Sequence, residues 1–458
     1  MKVVLLSTYE LGRQPFGLAS PAAWLRKREH EVVCLDLSRQ ALEEEAIRAA
    51  GLVAFYVPMH TATRLAMELL EPVRELNPLA HICFFGLYAP LNEAYLRERG
   101  VETLLGGEFE QGLVQLAERL SRKGDGSAGD GAWQAEPVIS LARQKFLAPD
   151  RRGLPALEKY ANVILPTGEH RVAGYTEASR GCKHLCRHCP IVPVYKGNFR
   201  VVEREVVLED VRQQVAGGAR HITFGDPDFF NGVGHAIAIV EALHREFPWL
   251  SYDVTIKIEH LRKHEKHLAT LRETGCLFVT SAVESFDDEV LEKLEKGHTK
   301  ADVLHVVRRF RELGLILQPT FVPFTPWTTF GSYLELLETV GENDLVENVA
   351  PIQLAIRLLI PAGSRLLELD EVRRWIGKFD RAALIYPWRN PEPGVDALCE
   401  EIQRIVADGE KRKQPRRAIF ERIWKAAHEA AGVDVQTAAQ PVLVSRAAIP
   451  YLNEPWYC

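Results

Sequence analysis

Three cysteines lie close together in the sequence, at Cys182, Cys186 and Cys189, within the stretch SRGCKHLCRHCP. Thiolates at the spacing C-x3-C-x2-C can converge on one soft metal centre. Three ligands from a single loop leave one position open on a four-iron cube, and an open iron is a place where a reaction can occur. The spacing therefore predicts an iron–sulfur cluster with one open iron.

A structural zinc site is the alternative for the same residues. Such a site needs four protein ligands and usually takes a second Cys/His pair at its own short spacing. His184 and His188 could supply nitrogen, but both lie inside the same loop. The remaining internal cysteines are isolated and are typical of buried thiols: they are Cys34, Cys83, Cys276 and Cys399. The pattern favours iron–sulfur over zinc.

The elements that must position these cysteines belong to a chain of ordinary globular composition. Its 458 residues allow two or three domains, and its formal net charge of −6 gives no sign of nucleic-acid binding. The sequence has no apolar run of the roughly 18 residues that a membrane span needs, and its start lacks the features of a signal peptide. We therefore expect a cytoplasmic protein that binds neither nucleic acid nor membrane, in which clustered cysteines serve metal or redox chemistry.

The first 121 residues alternate short apolar runs with amphipathic stretches. The runs have the length and composition of buried parallel strands, and helical patterns follow them. This alternation predicts a doubly wound, Rossmann-like domain over residues 1–121, with ligand loops at the carboxyl ends of its strands. No GxGxxG follows the first strand, so a nicotinamide or flavin site has little support. The predicted strands are 2–6, 31–35, 52–57, 81–85 and 102–105.

A second α/β series follows residues 122–137, whose Gly, Ser and Asp content predicts a linker. Six strand and helix units over residues 138–365 predict a partial (β/α)6 barrel of the TIM type, with its site at the carboxyl ends of the strands. We expect a helical C-terminal region and tail over residues 366–458. The predicted barrel strands are 174–179, 221–224, 252–258, 277–283, 316–322 and 352–358.

Polar residues recur at the carboxyl ends of these barrel strands, where they could share one site. Each also has a plainer interpretation: the aspartates could cap helices, the Lys–Glu pair could be solvated on an outer face, and the last glutamate could stand at a helix N-terminus. Period-two alternation would place Lys257 and Glu259 on the same face of the third strand. The candidates are Asp226, Asp228, Lys257, Glu259, Glu284 and Ser285.

The cysteine loop after the first strand of this series resembles the radical S-adenosylmethionine (SAM) superfamily, over roughly residues 170–360. The resemblance implies a [4Fe-4S] cluster held by Cys182, Cys186 and Cys189, with SAM chelating the fourth iron and being cleaved to methionine and a 5′-deoxyadenosyl radical. It implies an external electron donor of the flavodoxin or ferredoxin kind and a small-molecule substrate. It also implies that the six polar candidates bind SAM.

The N-terminal domain resembles the cobalamin-binding domain of one large radical SAM subclass. The resemblance rests on the five-strand order, on Gly86 after the fourth strand, and on Gly106 and Gly107 after the fifth. It implies a possible cobalamin, with these glycines near it and His60 as a candidate neighbour. No Asp-x-His-x-x-Gly follows the first strand, so we expect any cobalamin to bind without a histidine from that loop. A scaffold that binds no cofactor is the alternative.

The end of the sequence is similar to a narrower radical SAM family whose tail reads Cys-Cys or Cys-selenocysteine followed by Ala-Glu-Pro. The sequence here reaches Cys458 and stops, which suggests a selenocysteine codon read as a stop. Cys458 is therefore a candidate catalytic thiol, and an incidental thiol at a frayed end is the alternative.

These features together predict a radical SAM enzyme that transfers a methyl or another group to a small molecule. Radical chemistry without cobalamin, such as transfer of another fragment of SAM, is one alternative. A zinc-stabilised protein without catalytic activity, in which the three cysteines only hold structure, is the other.

Overall fold

A computed structural model describes residues 1–124, 135–433 and 449–453. Most of the predicted linker and the candidate Cys458 lie outside these residues. Within the described ranges, no helix is both long and apolar enough to span a membrane. The strands are β1 Lys2–Ser7, β2 Glu31–Asp36, β3 Leu52–Tyr56, β4 His81–Phe85, β5 Thr103–Gly107, β6 Ile139–Ser140, β7 Asn162–Ile164, β8 His170–Thr176, β9 Ser179–Gly181, β10 Phe199–Val201, β11 His221–Phe224, β12 Ser251–Thr255, β13 Cys276–Glu284, β14 Leu317–Phe321 and β15 Tyr451–Leu452.

Helices alternate with these strands through most of the chain and become dominant after residue 370. The α-helices are α1 Phe16–Lys27, α2 Glu44–Arg48, α3 His60–Leu76, α4 Tyr88–Leu91, α5 Glu93–Glu98, α6 Glu110–Gly124, α7 Ile191–Tyr195, α8 Arg204–Ala216, α9 Val233–Glu246, α10 Ile258–Lys263, α11 Leu268–Glu273, α12 Asp288–Lys293, α13 Lys300–Leu313, α14 Phe330–Glu342, α15 Asp370–Trp375, α16 Pro393–Lys411 and α17 Arg416–Ala430. Short 3-10 helices include Phe229–Gly232 and Pro351–Leu354.

The N-terminal sheet has the order β2-β1-β3-β4-β5-β6, and its strands are parallel. The central strands β1 and β3 are apolar along nearly their whole length because helices cover both faces of the sheet. The predicted doubly wound architecture is confirmed. Its last strand, Ile139–Ser140, comes from within the range predicted for the barrel and pairs with Gly106 and Gly107.

The second sheet has the order β14-β13-β12-β11-β8-β7-β15 and forms a curled half-barrel. Strands β8, β11, β12, β13 and β14 are parallel to one another. Strands β7 and β15 extend the sheet and are antiparallel to their neighbours. The predicted fold class of a partial barrel after a Rossmann-like domain is confirmed.

The predicted sixth barrel strand, 352–358, takes a different form. Its first half is the 3-10 helix Pro351–Leu354, and only Arg357 makes a strand-like bridge, to Phe324. The side-chain oxygen of Gln353 accepts a hydrogen bond from the backbone N–H of Phe321 at 3.1 Å. The Phe321 N–H, which a sixth strand would have bound through its backbone, is therefore bound by a side chain instead.

The C-terminal helices share the hydrophobic core of the half-barrel. Helices α16 and α17 pack against each other, α17 also packs against α14, and their buried faces include Leu398, Ile402 and Ile423. Between α15 and α16 the chain reaches back to the N-terminal domain, where the Ala383 carbonyl oxygen lies 2.5 Å from Nε2 of His60.

A buried arginine joins the two α/β units. Arg180 in β9 lies 2.6 Å from Glu110, 2.7 Å from Glu177 and 3.4 Å from Glu108. Its guanidinium also lies 5.1 to 5.6 Å from the ring centres of three phenylalanines, Phe16, Phe109 and Phe146. Because the partners come from both units, burial of this charge depends on their docking.

Glu108 gives a test of this junction. Burial raises the pKa of Glu108 to about 7 from 4.5, despite the nearby Arg180. The contribution of Glu108 to stability is therefore complete below about pH 4.5 and is lost as the pH rises through about 7. We predict that the unfolding free energy of the wild type, relative to that of Glu108→Gln, falls by up to about 3 kcal/mol over this interval. Denaturant unfolding at a series of pH values measures it, and a constant difference would contradict it.

Candidate metal and cofactor centre

The three cysteines occupy the loop between β9 and α7, at the carboxyl end of the half-barrel. The loop begins at Gly181, whose φ of +73° lies in the left-handed region. A Cβ there would stand 2.4 Å from the Tyr195 ring and 2.5 Å from the Asn198 carbonyl oxygen. Glycine is needed because the start of the loop packs directly against α7 and the turn that follows it.

Hydrogen bonds hold the backbone between the cysteines from two sides. Asn231 accepts from the Lys183 N–H and donates to the Gly181 carbonyl, each at 3.2 Å. On the other side, Arg187 donates from its backbone N–H to Leu294, at 3.0 Å, and from its side chain to the Lys293 carbonyl, at 2.8 Å. The loop conformation is therefore set by the barrel before any metal binds.

Cys186 is buried, and Cys182 and Cys189 are half-buried. Burial raises the pKa of Cys182 to about 11 and that of Cys189 to about 12. The positive charge of Lys257 partly offsets the rise at Cys182, and that of Lys296 partly offsets the rise at Cys189. Without a metal these two thiols are protonated at neutral pH, so a soft metal must displace their protons to bind.

The spread of the three sulfurs bears on the choice between zinc and iron–sulfur. Tetrahedral zinc would hold thiolate sulfurs about 3.8 Å apart. Across the described residues, one set of ligand-type atoms lies within 4.8 Å of one another, and it consists of His184, Asp228 and His260 rather than the cysteines. The three sulfurs therefore do not form a set as close as this one.

Glu284 ends β13 with a φ of +71°, unusual for a residue with a side chain, and its carboxylate points at the cysteine loop. Its Oε1 lies 3.2 Å from Nζ of Lys296 and 3.1 Å from Nε2 of His188. Burial opposes ionisation, but Lys296 and His188 outweigh it and hold the pKa of Glu284 well below its usual range. Ser285, by contrast, accepts from the Asp287 N–H at the approach to α12.

The prediction that Lys257 and Glu259 lie on one face of a strand is wrong, although their side chains do contact each other. Strand β12 ends at Thr255, so Lys257 precedes α10 and Glu259 lies in its first turn. Nζ of Lys257 is 3.3 Å from Oε2 of Glu259, and the same oxygen is 3.4 Å from Nδ1 of His184. The turn into the helix brings both side chains to the cysteine loop.

The two candidate aspartates have different surroundings. Asp226 accepts hydrogen bonds from the Ala178 N–H and the Ser179 hydroxyl, at 2.9 and 2.5 Å, and burial raises its pKa to about 7. It holds the turn from β8 to β9. Asp228 instead faces the cysteine loop, with Oδ2 at 2.7 Å from Nδ1 of His260. His260 carried no spacing signal in the sequence because only the barrel topology brings it to Asp228.

The three glycines expected near a cobalamin pack against the chain itself. A Cβ at Gly86 would lie 3.1 Å from Tyr56, one at Gly106 would lie 2.6 Å from Pro90, and one at Gly107 would lie 2.2 Å from the Ser140 carbonyl oxygen. Internal packing requires glycine at Gly106 and Gly107, and at Gly86 the φ of +111° together with the tight contact requires it.

The carboxyl edge of the N-terminal sheet nevertheless lies next to the cysteine loop. Helix α7, which directly follows Cys189, packs on α4 and β5, and its Val194 and Tyr195 belong to the core of the N-terminal domain. Met59 and Leu87 stay half-buried at this edge. One short helix therefore separates the three thiols from the ligand edge of a Rossmann-like sheet.

Comparisons with known proteins agree with this arrangement. Residues 176–337 match the model of the Radical SAM superfamily. The chain is 24% identical over 327 residues to hopanoid C-3 methylase of Methylococcus capsulatus, covering 69% of the chain and 62% of that protein. It is 23% identical to tRNA-2-methylthio-N(6)-dimethylallyladenosine synthase of Desulfosudis oleivorans, covering 59% and 56%. The chain thus spans less than two thirds of the length of these relatives.

Two solved structures share the fold. The radical SAM methyltransferase TsrM from Kitasatospora setae, with cobalamin and a [4Fe-4S] cluster bound, matches with a TM-score of 0.58 and 19% identity, over 75% of this chain and 73% of that one. The cobalamin-dependent radical enzyme OxsB, with aqua-cobalamin and SAM bound, matches with a TM-score of 0.71 and 15% identity, over 94% and 72%.

We predict that Lys296→Met weakens retention of a cluster by the cysteine loop. The substitution removes the cation next to Cys189 and leaves Glu284 buried without its main partner, which costs about 3–5 kcal/mol of stability. Lys293→Met is the control, because Lys293 forms a partly exposed pair with Glu371 worth about 0–1 kcal/mol. Iron per chain after anaerobic desalting measures the effect. Equal iron in the two variants would contradict it.

Proposed function

We propose that this chain, whose residues 176–337 match the Radical SAM superfamily, is a radical SAM enzyme that methylates a small molecule. It would use a [4Fe-4S] cluster on Cys182, Cys186 and Cys189 and a cobalamin at the N-terminal sheet. The observation that carries the proposal is the packing of α7 between the cysteine loop and that sheet. This packing supports two cofactor positions on either side of one short helix.

The cysteine loop is the proposed cluster site. A [4Fe-4S] cluster bound there supplies the electron that cleaves SAM, and its open iron gives SAM a place to bind. The chain contributes a loop anchored on both sides and two cations, Lys257 and Lys296, next to the thiols. These cations offset the negative charge of three thiolates in a buried setting.

The polar residues around the loop are the proposed SAM contacts. Lys257 is a cation suited to the carboxylate of SAM, and Glu259 holds it at 3.3 Å. A Cβ at Gly297 would lie 2.7 Å from Oε2 of Glu259, so this position must stay a glycine for the pair to keep its place. Glu284 acts as a positioning residue, because its carboxylate is held by Lys296 and His188.

The proposed cobalamin position is the β3 and β4 side of the sheet edge. Met59 and Leu87 present half-buried apolar surface there, whereas Arg180 and its carboxylates fill the β5 side. Nε2 of His60 is already engaged by the Ala383 carbonyl oxygen. The corrin would therefore be held by packing and by peripheral hydrogen bonds, without a histidine on cobalt. Bound cobalamin supplies a carrier for the methyl group.

A second candidate function is radical chemistry without cobalamin. It is favoured by the three glycines, Gly86, Gly106 and Gly107, whose packing against the chain needs no ligand to explain it. In both cases an external flavodoxin- or ferredoxin-like protein would supply electrons, and the substrate would be a small molecule.

We predict that the purified chain, reconstituted without oxygen, holds about four irons and four sulfides and forms 5′-deoxyadenosine from SAM when reduced. Cys186→Ala should lose the cluster and reduce 5′-deoxyadenosine to background, because a cluster thiolate is gone. Cys276→Ala, which removes a buried thiol from β13, is the matched control and should keep both. Zinc without sulfide in the wild type would disprove the cluster.

We predict that the wild-type chain supplied with hydroxocobalamin keeps a corrin spectrum after desalting. Leu87→Arg should lose it, because a charged side chain would stand at the proposed corrin surface. Leu79→Arg is the control, since Leu79 is 95% exposed and away from that edge. If the wild type keeps no corrin but still forms 5′-deoxyadenosine, the methyltransferase proposal is wrong and the second candidate function stands.

A further inference from the structure

Beside the cysteines, three other ligand-type atoms converge from three separate elements. They come from His184 in the cysteine loop, Asp228 after β11 and His260 in α10, and one ligand atom from each lies within 4.8 Å of the other two. The side chains of Asp228 and His260 are each 1% exposed, and that of His184 is 11% exposed. The group is therefore almost completely shielded from water.

These three atoms pair at short distances, but the angles between them are poor for hydrogen bonds. Nδ1 of His260 lies 2.7 Å from Oδ2 of Asp228, and Nε2 of His184 lies 3.4 Å from the same oxygen. None of the three atoms has a hydrogen-bond partner of acceptable geometry. Buried polar atoms with poor hydrogen-bond geometry are costly and rare, and three such atoms facing one point suit a bound cation.

In two of these side chains, the second polar atom, which faces away from the group, contacts a neighbouring residue. Nδ1 of His184 lies 3.4 Å from Oε2 of Glu259, and Oδ1 of Asp228 accepts a hydrogen bond from the Phe230 N–H at 3.0 Å. A carboxylate behind a histidine is the usual support of a metal-binding imidazole, because it fixes the ring and its tautomer. The third side chain, His260, is held by ring contact with His184, at 4.5 Å between centres.

We propose that His184, Asp228 and His260 bind one divalent transition-metal ion, of the zinc or ferrous type, separate from the cysteine cluster. Two imidazole nitrogens and one carboxylate oxygen are a common ligand set for such ions and leave a position open. Tetrahedral ligands at this kind of ion lie about 3.3 Å apart. The distance from Nε2 of His184 to Oδ2 of Asp228 already matches this value. The distance from Nδ1 of His260 to the same oxygen would have to increase by about 0.6 Å.

The ion would tie the cysteine loop to two barrel elements. His184 lies between Cys182 and Cys186, while Asp228 follows β11 and His260 lies in α10. The three proposed ligands include no cysteine and no atom of SAM, although Glu259 behind His184 also holds Lys257 among the proposed SAM contacts.

The test uses the full chain with its cluster reconstituted, stripped of loosely held metal by a chelator and then titrated with Co²⁺. The wild type should bind one Co²⁺ per chain, with visible ligand-field bands and without a thiolate-to-cobalt charge-transfer band. His260→Ala should lose this binding while its cluster iron is unchanged. Glu259→Gln should weaken Co²⁺ binding by about 10- to 100-fold.

His264→Ala is the matched control, because His264 lies one turn from His260, with ring centres 5.6 Å apart, and belongs to no proposed site. It should bind Co²⁺ as the wild type does. The proposal is overturned if the wild type binds no Co²⁺ or shows a thiolate-to-cobalt band. Equal binding by His260→Ala, or an unchanged affinity in Glu259→Gln, would also overturn it. Because Glu259 is partly exposed, Glu259→Gln remains informative even if His260→Ala fails to fold.

Discussion

The buried charge of Arg180 is the interaction on which the arrangement of this molecule depends. Arg180 lies two residues before the first cysteine, yet two of its three carboxylates, Glu108 and Glu110, belong to the N-terminal domain. A guanidinium in an apolar setting is stable only when its partners are in place. Docking of the two α/β units and the position of the cysteine loop are therefore linked through this residue.

Around the cysteine loop, cations and carboxylates alternate in contact with one another. Lys296 stands between Glu284 and the thiols, and Lys257 stands between Glu259 and Cys182. The thiols thus face cations, and each cation is fixed by an anion behind it. This order suits a cluster of thiolates whose net charge must be balanced in a partly buried place.

Much of this could be predicted from the sequence, because local spacing determines it. The C-x3-C-x2-C loop and the apolar runs of both parallel sheets are local patterns, and the predicted fold class is confirmed. The sixth barrel strand could not be excluded by its apolar pattern, because the competing contact is the side chain of Gln353 with the Phe321 N–H. The contact of His260 with Asp228 could not be predicted either. The two residues belong to no common motif, and only the barrel topology brings them together. The three glycines that resemble those of cobalamin-binding domains are a different case. Their positions in the sequence suggest cobalamin, but contacts within the chain also account for them.

The most direct test of the central claim, that the three-cysteine loop holds a cluster with an open iron, is electron paramagnetic resonance of the reduced chain with and without SAM. The account predicts the signal of a reduced [4Fe-4S] cluster whose g values shift when SAM is added, because SAM binds the open iron. A signal that SAM leaves unchanged, or no iron–sulfur signal in a chain that carries zinc, would contradict it.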